Sequence, residues 1–249
     1  MHIRFWTLLA VVLLGACAGR APGPAAGHQA LQAPMAGRVG IMSLMQNKLV
    51  HVHAGTGGFG DFKTTYPVRY DFNGFVREQL RKELVAKTPY QPIPVQPTGL
   101  LMKHANKWQK TNRDGGFAPK IQREIDGIMK QNRLAMLIIA STPEIDDGVP
   151  GTGQSLVGSG LYTRTFLGNT STAVFSTLRF HRLVGEPARL VHPVSHPTDR
   201  HIGDLPDVEL PDQLKGMSPR YLAPVYTPLH HIIRNKIKGL ISLPRKLGH

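Results

Sequence analysis

The sequence has 249 residues, 41% of them hydrophobic, and carries 30 Lys and Arg against 16 Asp and Glu, a formal net charge of +14 at pH 7. This length and composition suit one globular domain with a substantial core and exclude a largely disordered chain. Because Cys17 is the single cysteine, an internal disulfide is also excluded, and the fold must be stabilised by burial.

The segment 1–17 has the organisation of an export signal. Arg4 precedes an apolar run over 5–14, and small residues followed by Cys17 come next. A basic start, an apolar stretch and small residues at the cut are typical of a secretory signal peptide, and with cysteine directly after them the segment resembles a bacterial lipoprotein signal with its lipobox. A plain secretory signal and a transmembrane anchor are the alternatives. An apolar run over 5–14 is, however, too short to cross about 30 Å of hydrocarbon.

The resemblance implies how this segment is processed. The signal peptide, residues 1–16, is cut between Ala16 and Cys17, the Cys17 thiol is joined to diacylglycerol, and the new amino group is acylated. Several acyl chains give stable anchoring, because each buried methylene contributes about 0.8 kcal/mol. Ala18 stands where inner-membrane lipoproteins have aspartate, so the resemblance also implies the outer membrane, with the domain facing the periplasm.

The residues after the signal predict a tether and then a first pair of strands. Residues 17–37 are rich in Ala, Gly and Pro and lack hydrophobic periodicity, which predicts a flexible tether. Order is predicted to begin at Arg38. Apolar residues at 39–45 and 49–54, with a short polar turn between them, predict a β-hairpin. Residues 55–70 have the composition of a loop.

A helix and an edge strand are predicted next. Apolar residues at helical spacing predict a helix over 71–87, with Asp71 and Asn73 as alternative caps. A strand at 90–95 contains two prolines, which cannot donate to a ladder, so it is confined to a sheet edge.

The middle of the chain contains the centre of the predicted sheet. Helices are predicted at 98–110 and 119–132. Residues 134–140 are apolar throughout, as in a strand that is buried on both faces. Further strands are predicted at 157–166, 172–184 and 188–194.

The element order predicts an α+β (α/β-like) fold in which a mixed β-sheet with an N-terminal hairpin packs against helices. The domain spans 38–196, a Pro- and Asp-rich exposed linker spans 197–219, and a basic amphipathic C-terminal helix spans 220–249. We expect the apolar stripe of this helix to dock on the domain's own sheet. The alternative is a partner or membrane surface, whose phosphates would meet the basic residues Arg234, Lys236, Lys238, Arg245 and Lys246.

Gly55 to Gly60 match the spacing of the dinucleotide-binding fingerprint G-x-G-x-x-G. That fingerprint requires a helix directly after the turn, which presents its amides to pyrophosphate. Residues 61–67 make a poor helix start, so the prediction is a glycine loop, and no cofactor is expected.

Two sets of side chains are candidates for metal or hydrolytic chemistry. His51 and His53 share one strand face, which is metal-ligand spacing. The other histidine groups are His192, His196, Asp199 and His201, and His230 with His231. Glu144, Asp146 and Asp147 follow the central strand and would form a hydrolytic pair only if two of them lay about 5–9 Å apart. No motif assigns a metal ligand or catalytic residue, and none is predicted.

The signal, the tether and the αβ core are together similar to small envelope lipoproteins of the penicillin-binding-protein activator or curli-export type. That resemblance implies a periplasmic αβ domain that binds other proteins. The favoured hypothesis is a lipid-anchored, non-enzymatic bacterial envelope lipoprotein that binds or scaffolds envelope components. Its partners would be envelope proteins and anionic lipid or lipopolysaccharide, and export argues against nucleic acid. The alternative is an envelope hydrolase or metal-binding protein that uses the 144–147 loop or the histidines.

Overall fold

The computed structural model describes residues 37–110, 117–147, 152–191, 201–204 and 218–242. Helices in these ranges are α1 (Phe72–Lys87), α2 (Gly99–Lys103), α3 (Pro119–Gln131) and α4 (Tyr226–Ser242), and 3₁₀ turns span Thr56–Gly58 and Pro219–Val225. The strands are β1 (Arg38–Ser43), β2 (Lys48–Ala54), β3 (Phe62–Pro67), β4 (Gln91–Pro94), β5 (Met136–Ser141), β6 (Ile145–Asp146), β7 (Ser155–Leu156), β8 (Ser159–Phe166), β9 (Asn169–Ser176), β10 (Arg179–Val184), β11 (Arg189–Val191) and β12 (His201–Asp204).

Ten of these strands form two five-stranded sheets. Sheet 1 has the order β11-β10-β5-β1-β4, in which the β5-β1 and β1-β4 pairs are parallel and the other two are antiparallel. Sheet 2 has the order β12-β9-β8-β2-β3, in which only the β8-β2 pair is parallel. β6 and β7 pair separately as a short antiparallel hairpin. Both five-stranded sheets are mixed, and the predicted α+β class is confirmed.

The buried hydrophobic side chains of the described residues form three clusters. The largest lies between the two sheets and the helices α1 and α4, and includes Ile41, Leu80, Leu161 and Ile233. Residues of α2 and α3 pack on the other face of sheet 1 around Trp108. The β6–β7 hairpin packs on the other face of sheet 2.

Several predicted elements are confirmed. The helix over 71–87 is α1, capped by the Asp71 carboxylate, which accepts from the Gly74 amide, while the Asn73 amide instead donates to the Met45 carbonyl. The proline-containing strand at 90–95 is β4, at the edge of sheet 1, and the apolar strand at 134–140 is β5, at its centre. Of the two helices predicted next, the second is α3, and the first is shorter than predicted because α2 ends at Lys103.

The predicted N-terminal hairpin is wrong. Its two strands exist as β1 and β2, but β1 pairs with β4 and β5 in sheet 1, whereas β2 pairs with β3 and β8 in sheet 2. The chain leaves β1 with the Leu44 amide bonded to the Ala140 carbonyl at 2.8 Å, and so continues beside β5 before it crosses. Both strands are buried almost throughout. Distant apolar strands therefore compete for them, and a local pattern cannot show which pairing wins.

The strand predicted at 172–184 is in fact two strands, β9 and β10, in different sheets. The Thr177 amide donates to the Gly158 carbonyl at 2.9 Å, and the Leu178 amide donates to the Ser176 hydroxyl at 3.3 Å. Both amides thus leave the ladder, and the chain passes from sheet 2 to sheet 1 at this point.

The segment predicted as a loop over 55–70 contains β3, which pairs with β2 from Lys48↔Pro67 to His53↔Phe62. Its signal in the sequence is the alternation of Phe62, Thr64 and Tyr66 with polar residues.

The end of the chain adds a strand and a helix. The strand predicted at 188–194 is β11, and within the predicted linker His201–Asp204 pairs with β9 as β12; the rest of 192–217 lies outside the described residues. The apolar stripe of α4 packs into the largest cluster beside α1, as expected from the sequence. Among the described residues, no helix combines the length and apolarity needed to cross a bilayer.

Candidate interaction surface

Part of the predicted site residues lie outside the described residues: Ala16, Cys17, His192, His196, Asp199, Arg245 and Lys246. Lipidation at Cys17 therefore stays a prediction. His201 is described only as part of the backbone of β12.

His51 and His53 lie on one face of β2, as the spacing predicts, and both are buried. His51 Nε2 and His53 Nδ1 each lie 2.8 Å from Thr163 Oγ1. The Phe62 ring stacks on His53 at a centroid distance of 5.0 Å and meets His51 edge-on at 4.9 Å. A hydroxyl has one hydrogen, so between neutral rings Thr163 donates to one imidazole and accepts from the other. The Thr163 hydroxyl thus satisfies the two ring nitrogens that would have to bind a shared metal.

Burial disfavours the charged form of both imidazoles in this histidine cluster (His51, His53, Phe62 and Thr163). Burial, followed by the charge of His53, lowers the pKa of His51 to about 4. Burial also lowers the pKa of His53, against the Asp61 carboxylate, which raises it. The cluster cross-links three strands. Hydrogen bonds to Thr163 join β2 to β8, and the Phe62 ring of β3 packs on both histidines.

The other described histidines are not brought to this cluster. His230 on α4 stacks on Phe75 at 4.4 Å, and burial, followed by the charges of Arg234 and His231, lowers the pKa of His230. His231 is exposed. Across the part of the chain that the structure describes, no three His, Cys, Asp or Glu side chains converge in a way that could hold a metal ion.

A buried histidine that the sequence reasoning missed is His181 on β10. Its side chain is 2% exposed and meets the Trp108 ring edge-on at 4.9 Å. Neither ring nitrogen has a hydrogen-bond partner among the described residues. Burial, followed by the charge of Arg179, lowers the pKa of His181 to about 4. The sequence signal was its position in a strand, where its side chain lies on the face opposite to those of Phe180 and Arg182.

Two of the acidic residues at 144–147, Glu144 and Asp147, accept hydrogen bonds in and around the β6–β7 hairpin. The Ser155 hydroxyl donates to Glu144 Oε1 at 2.6 Å. Asp147, which is buried, accepts from the hydroxyls of Thr152 and Tyr162 at 2.6 and 2.9 Å. Burial, followed by the hydrogen bond to Asp147, raises the pKa of Tyr162. Asp147 thereby ties this region to β8 of sheet 2, and Glu144 is bonded to β7 of the hairpin itself.

The glycine loop, residues 55–61, joins β2 to β3, and β3 follows it where the dinucleotide fingerprint requires a helix. Asp61 holds the loop in place, because its Oδ1 accepts from the backbone amide of Gly55 at 2.7 Å and its Oδ2 accepts from the side-chain amide of Gln154. A Cβ at Gly55 would clash with the Phe59 carbonyl oxygen. The loop is therefore held in a shape that places Phe59 outward, with 87% of the residue exposed.

A second turn lies beside this loop. The turn between β8 and β9 carries Phe166, 55% exposed, and Leu167, 75% exposed. The Thr56 hydroxyl in the glycine loop donates to the Thr165 carbonyl at 3.1 Å, which brings the two turns together across 109 positions of sequence. We call Phe59, Phe166 and Leu167 the tip surface. Large exposed apolar side chains on two joined turns are candidates for an interaction site.

The sequence analysis did not select the tip surface. Its signal was present as large apolar residues flanked by glycine in predicted turns, Phe59 before Gly60 and Leu167 before Gly168. Sequence position alone could not show that the two turns are neighbours.

The basic side chains of α4 are divided between structure and solvent. Lys236 Nζ donates to the Leu178 carbonyl at 2.8 Å, where the chain passes between the two sheets. The Arg234 guanidinium lies 5.7 Å from the Phe75 ring centroid, and Lys238 is exposed. Lys236 thus anchors the helix to the sheets and does not contribute to the basic face that the sequence predicts.

A small cavity lies beyond the carboxyl ends of β1 and β5, where ligands bind in many parallel sheets. Its volume is about 30 Å³, and Lys48, Asn106, Thr142 and Ser159 are among its lining residues. That volume holds about one water molecule. The tip surface is therefore the better candidate for recognition of a larger partner.

Comparison with known proteins does not assign the chain to a family. No protein-family model, curated protein or solved structure matches it.

Proposed function

We propose that this chain is a lipid-anchored, non-enzymatic bacterial envelope lipoprotein whose αβ domain binds or scaffolds other envelope components. The anchor is Cys17, and the location is the outer membrane with the domain facing the periplasm. The resemblance to penicillin-binding-protein activator and curli-export lipoproteins supports a role in binding other proteins.

The observation that carries the binding role is the tip surface. Three large apolar side chains are more than half exposed on two adjacent turns, although burying each of them would contribute about 1.5–3 kcal/mol. Three of the side chains that the sequence nominated for hydrolysis or metal binding take part in buried hydrogen bonds of the fold. Asp147 accepts a hydrogen bond from β8, and His51 and His53 share the Thr163 hydroxyl.

The anchor is tested by Cys17→Ala in cells supplied with labelled fatty acid. We expect wild-type protein to carry the label and fractionate with the outer membrane, and the variant to lose the label and stay unprocessed or leave the membrane. Ala18→Ser, which keeps the cysteine, is the matched control. Ala18→Asp should move the labelled protein to the inner membrane, as the resemblance implies.

Unchanged membrane fractionation of Cys17→Ala, together with no label on the wild type, would refute lipid anchoring. The binding role is tested in the same cells by placing a photo-cross-linker at position 59, with position 85 on α1 as the control site. Val85 is also apolar and 57% exposed. Equal cross-linking of envelope components from both positions would refute recognition through the tip surface.

A further inference from the structure

We propose that the tip surface inserts into the interfacial region of an anionic phospholipid bilayer, as a second membrane contact besides the acyl chains. This inference rests on the proposed function for bringing the domain to the membrane, and it concerns only what the tip surface meets there.

The geometry suits insertion because the apolar side chains stand in open space. A Cβ added at Gly60 or Gly168, beside Phe59 and Leu167, would meet no atom within 4 Å. Both turns therefore project from the end of sheet 2. An inserting element needs this form, since its apolar atoms must reach the acyl boundary before the rest of the domain meets the headgroups.

The two turns are also tied to each other and to the sheet. Thr56 links the glycine loop to Thr165, and Asp61 ties the base of the loop to Gln154. Behind them, Phe62 at the start of β3 packs on the buried rings of His51 and His53. Preorganised apolar residues lose little conformational entropy on insertion, which favours binding.

The position of Arg164 and the basic character of the whole chain favour an anionic surface. The Arg164 guanidinium lies 5.7 Å from the Phe166 ring centroid and is placed to meet lipid phosphates while the ring enters the acyl boundary. Residues 55–61 and 164–171 contain one acidic side chain, Asp61, whose oxygens both accept hydrogen bonds from the protein. The chain has 30 Lys and Arg against 16 Asp and Glu, and only one of the basic residues, Arg4, lies in the signal peptide, so the anchored form stays strongly basic. Anionic leaflets attract basic surfaces by about 1 kcal/mol for each nearby Lys or Arg.

A lipid surface is favoured over a protein partner by the tether. Residues 17–37 span at most about 70 Å when extended, at roughly 3.3 Å per residue, so an anchored domain can reach its own bilayer. Tethering makes this contact intramolecular, and weak insertion then suffices for high occupancy. A protein partner would have to supply an apolar pocket at its own concentration.

The experiment places tryptophan at the tip surface of the full chain, as Phe59→Trp and Leu167→Trp, with Val85→Trp as the control. Each protein is mixed with vesicles of phosphatidylethanolamine and phosphatidylglycerol, some lipids carrying a nitroxide on the acyl chain near the headgroup. Fluorescence of the wild type supplies the background from the native tryptophans. We expect several-fold stronger quenching at positions 59 and 167 than at 85, and a loss of that difference in vesicles of phosphatidylcholine alone.

Flotation of the same samples reports total membrane binding, and flotation of protein with and without acyl chains separates the anchor from the tip surface. Protein that floats with the vesicles but shows equal quenching at 59, 167 and 85 overturns the inference and leaves the anchor intact. Selective quenching at 59 and 167 in protein that lacks acyl chains supports it even where the anchor has failed. Photo-cross-linking from position 59 to a single protein, without quenching by lipid, overturns it in favour of a protein partner.

Discussion

The buried histidine His181 should make the stability of this domain fall steeply as the pH drops below neutral. We consider His181→Leu, which replaces the imidazole beside Trp108 with an apolar side chain of similar size. The pKa of His181 is about 4 in the folded protein because of burial and Arg179, against about 6.5 when unfolded. The folded state therefore binds fewer protons than the unfolded state between these pH values, and each proton taken up favours unfolding.

The magnitude follows from the difference in pKa. Each unit is equivalent to about 1.36 kcal/mol, so the stabilisation tied to neutral His181, complete above pH 6.5, falls by about 3 kcal/mol as the pH reaches 4. His181→Leu removes this dependence. At pH 7 the leucine also removes a buried N–H without a partner among the described residues, a group that costs about 1–3 kcal/mol. The variant should then be at least as stable as the wild type at pH 7, and its advantage in free energy of unfolding should grow by about 3 kcal/mol between pH 7 and pH 4.

Urea unfolding followed by the fluorescence of Trp108, which is 2% exposed, measures these free energies at pH 7, 6, 5 and 4. His231→Asn, at an exposed position, is the matched control and should follow the wild type at each pH. His51 keeps its own contribution in all three proteins, so the comparison isolates His181. Parallel free-energy curves for wild type and His181→Leu would show that the buried imidazole does not titrate on unfolding, and would refute the reasoning.

Three further substitutions test the histidine cluster, the packing of α4 and the glycine loop. Thr163→Val should lower the free energy of unfolding by about 1–3 kcal/mol for each buried imidazole nitrogen left without a partner, whereas Thr163→Ser, which keeps the hydroxyl, should cost clearly less; equal losses would contradict the shared hydrogen bond. Ile233→Ala, at a fully buried position of α4, should cost about 2–5 kcal/mol against less than about 0.5 for exposed Asn235→Ala, and a small loss would mean that α4 does not belong to the core. Asp61→Ala removes a charged hydrogen bond worth about 1.5–3 kcal/mol, so hydrogen exchange of the Gly55 amide should accelerate roughly tenfold to a hundredfold, and an unchanged rate would show that the carboxylate does not pin the glycine loop.

The sequence by itself determined the features that depend on neighbours in the chain. The 3.6-residue period of α1 and the apolar stripe of α4 predict which helix faces are buried. Prolines confine β4 to a sheet edge, and the unbroken apolar run of β5 places that strand at the centre of its sheet. The prediction of an export signal ending at Cys17 is of the same local kind, since charge, an apolar run and small residues follow one another directly.

Only the tertiary structure decided which distant segments meet. β1 and β2 are consecutive and apolar, yet they enter different sheets, where β1 pairs with β5 and β2 pairs with β8. His51 and His53 share a hydroxyl that stands 110 positions away from His53, and the tip surface forms because Thr56 reaches Thr165. Such contacts depend on closing long loops against conformational entropy, with a gain that is spread over the whole core. No local pattern records that balance, so the site could be recognised only in the folded chain.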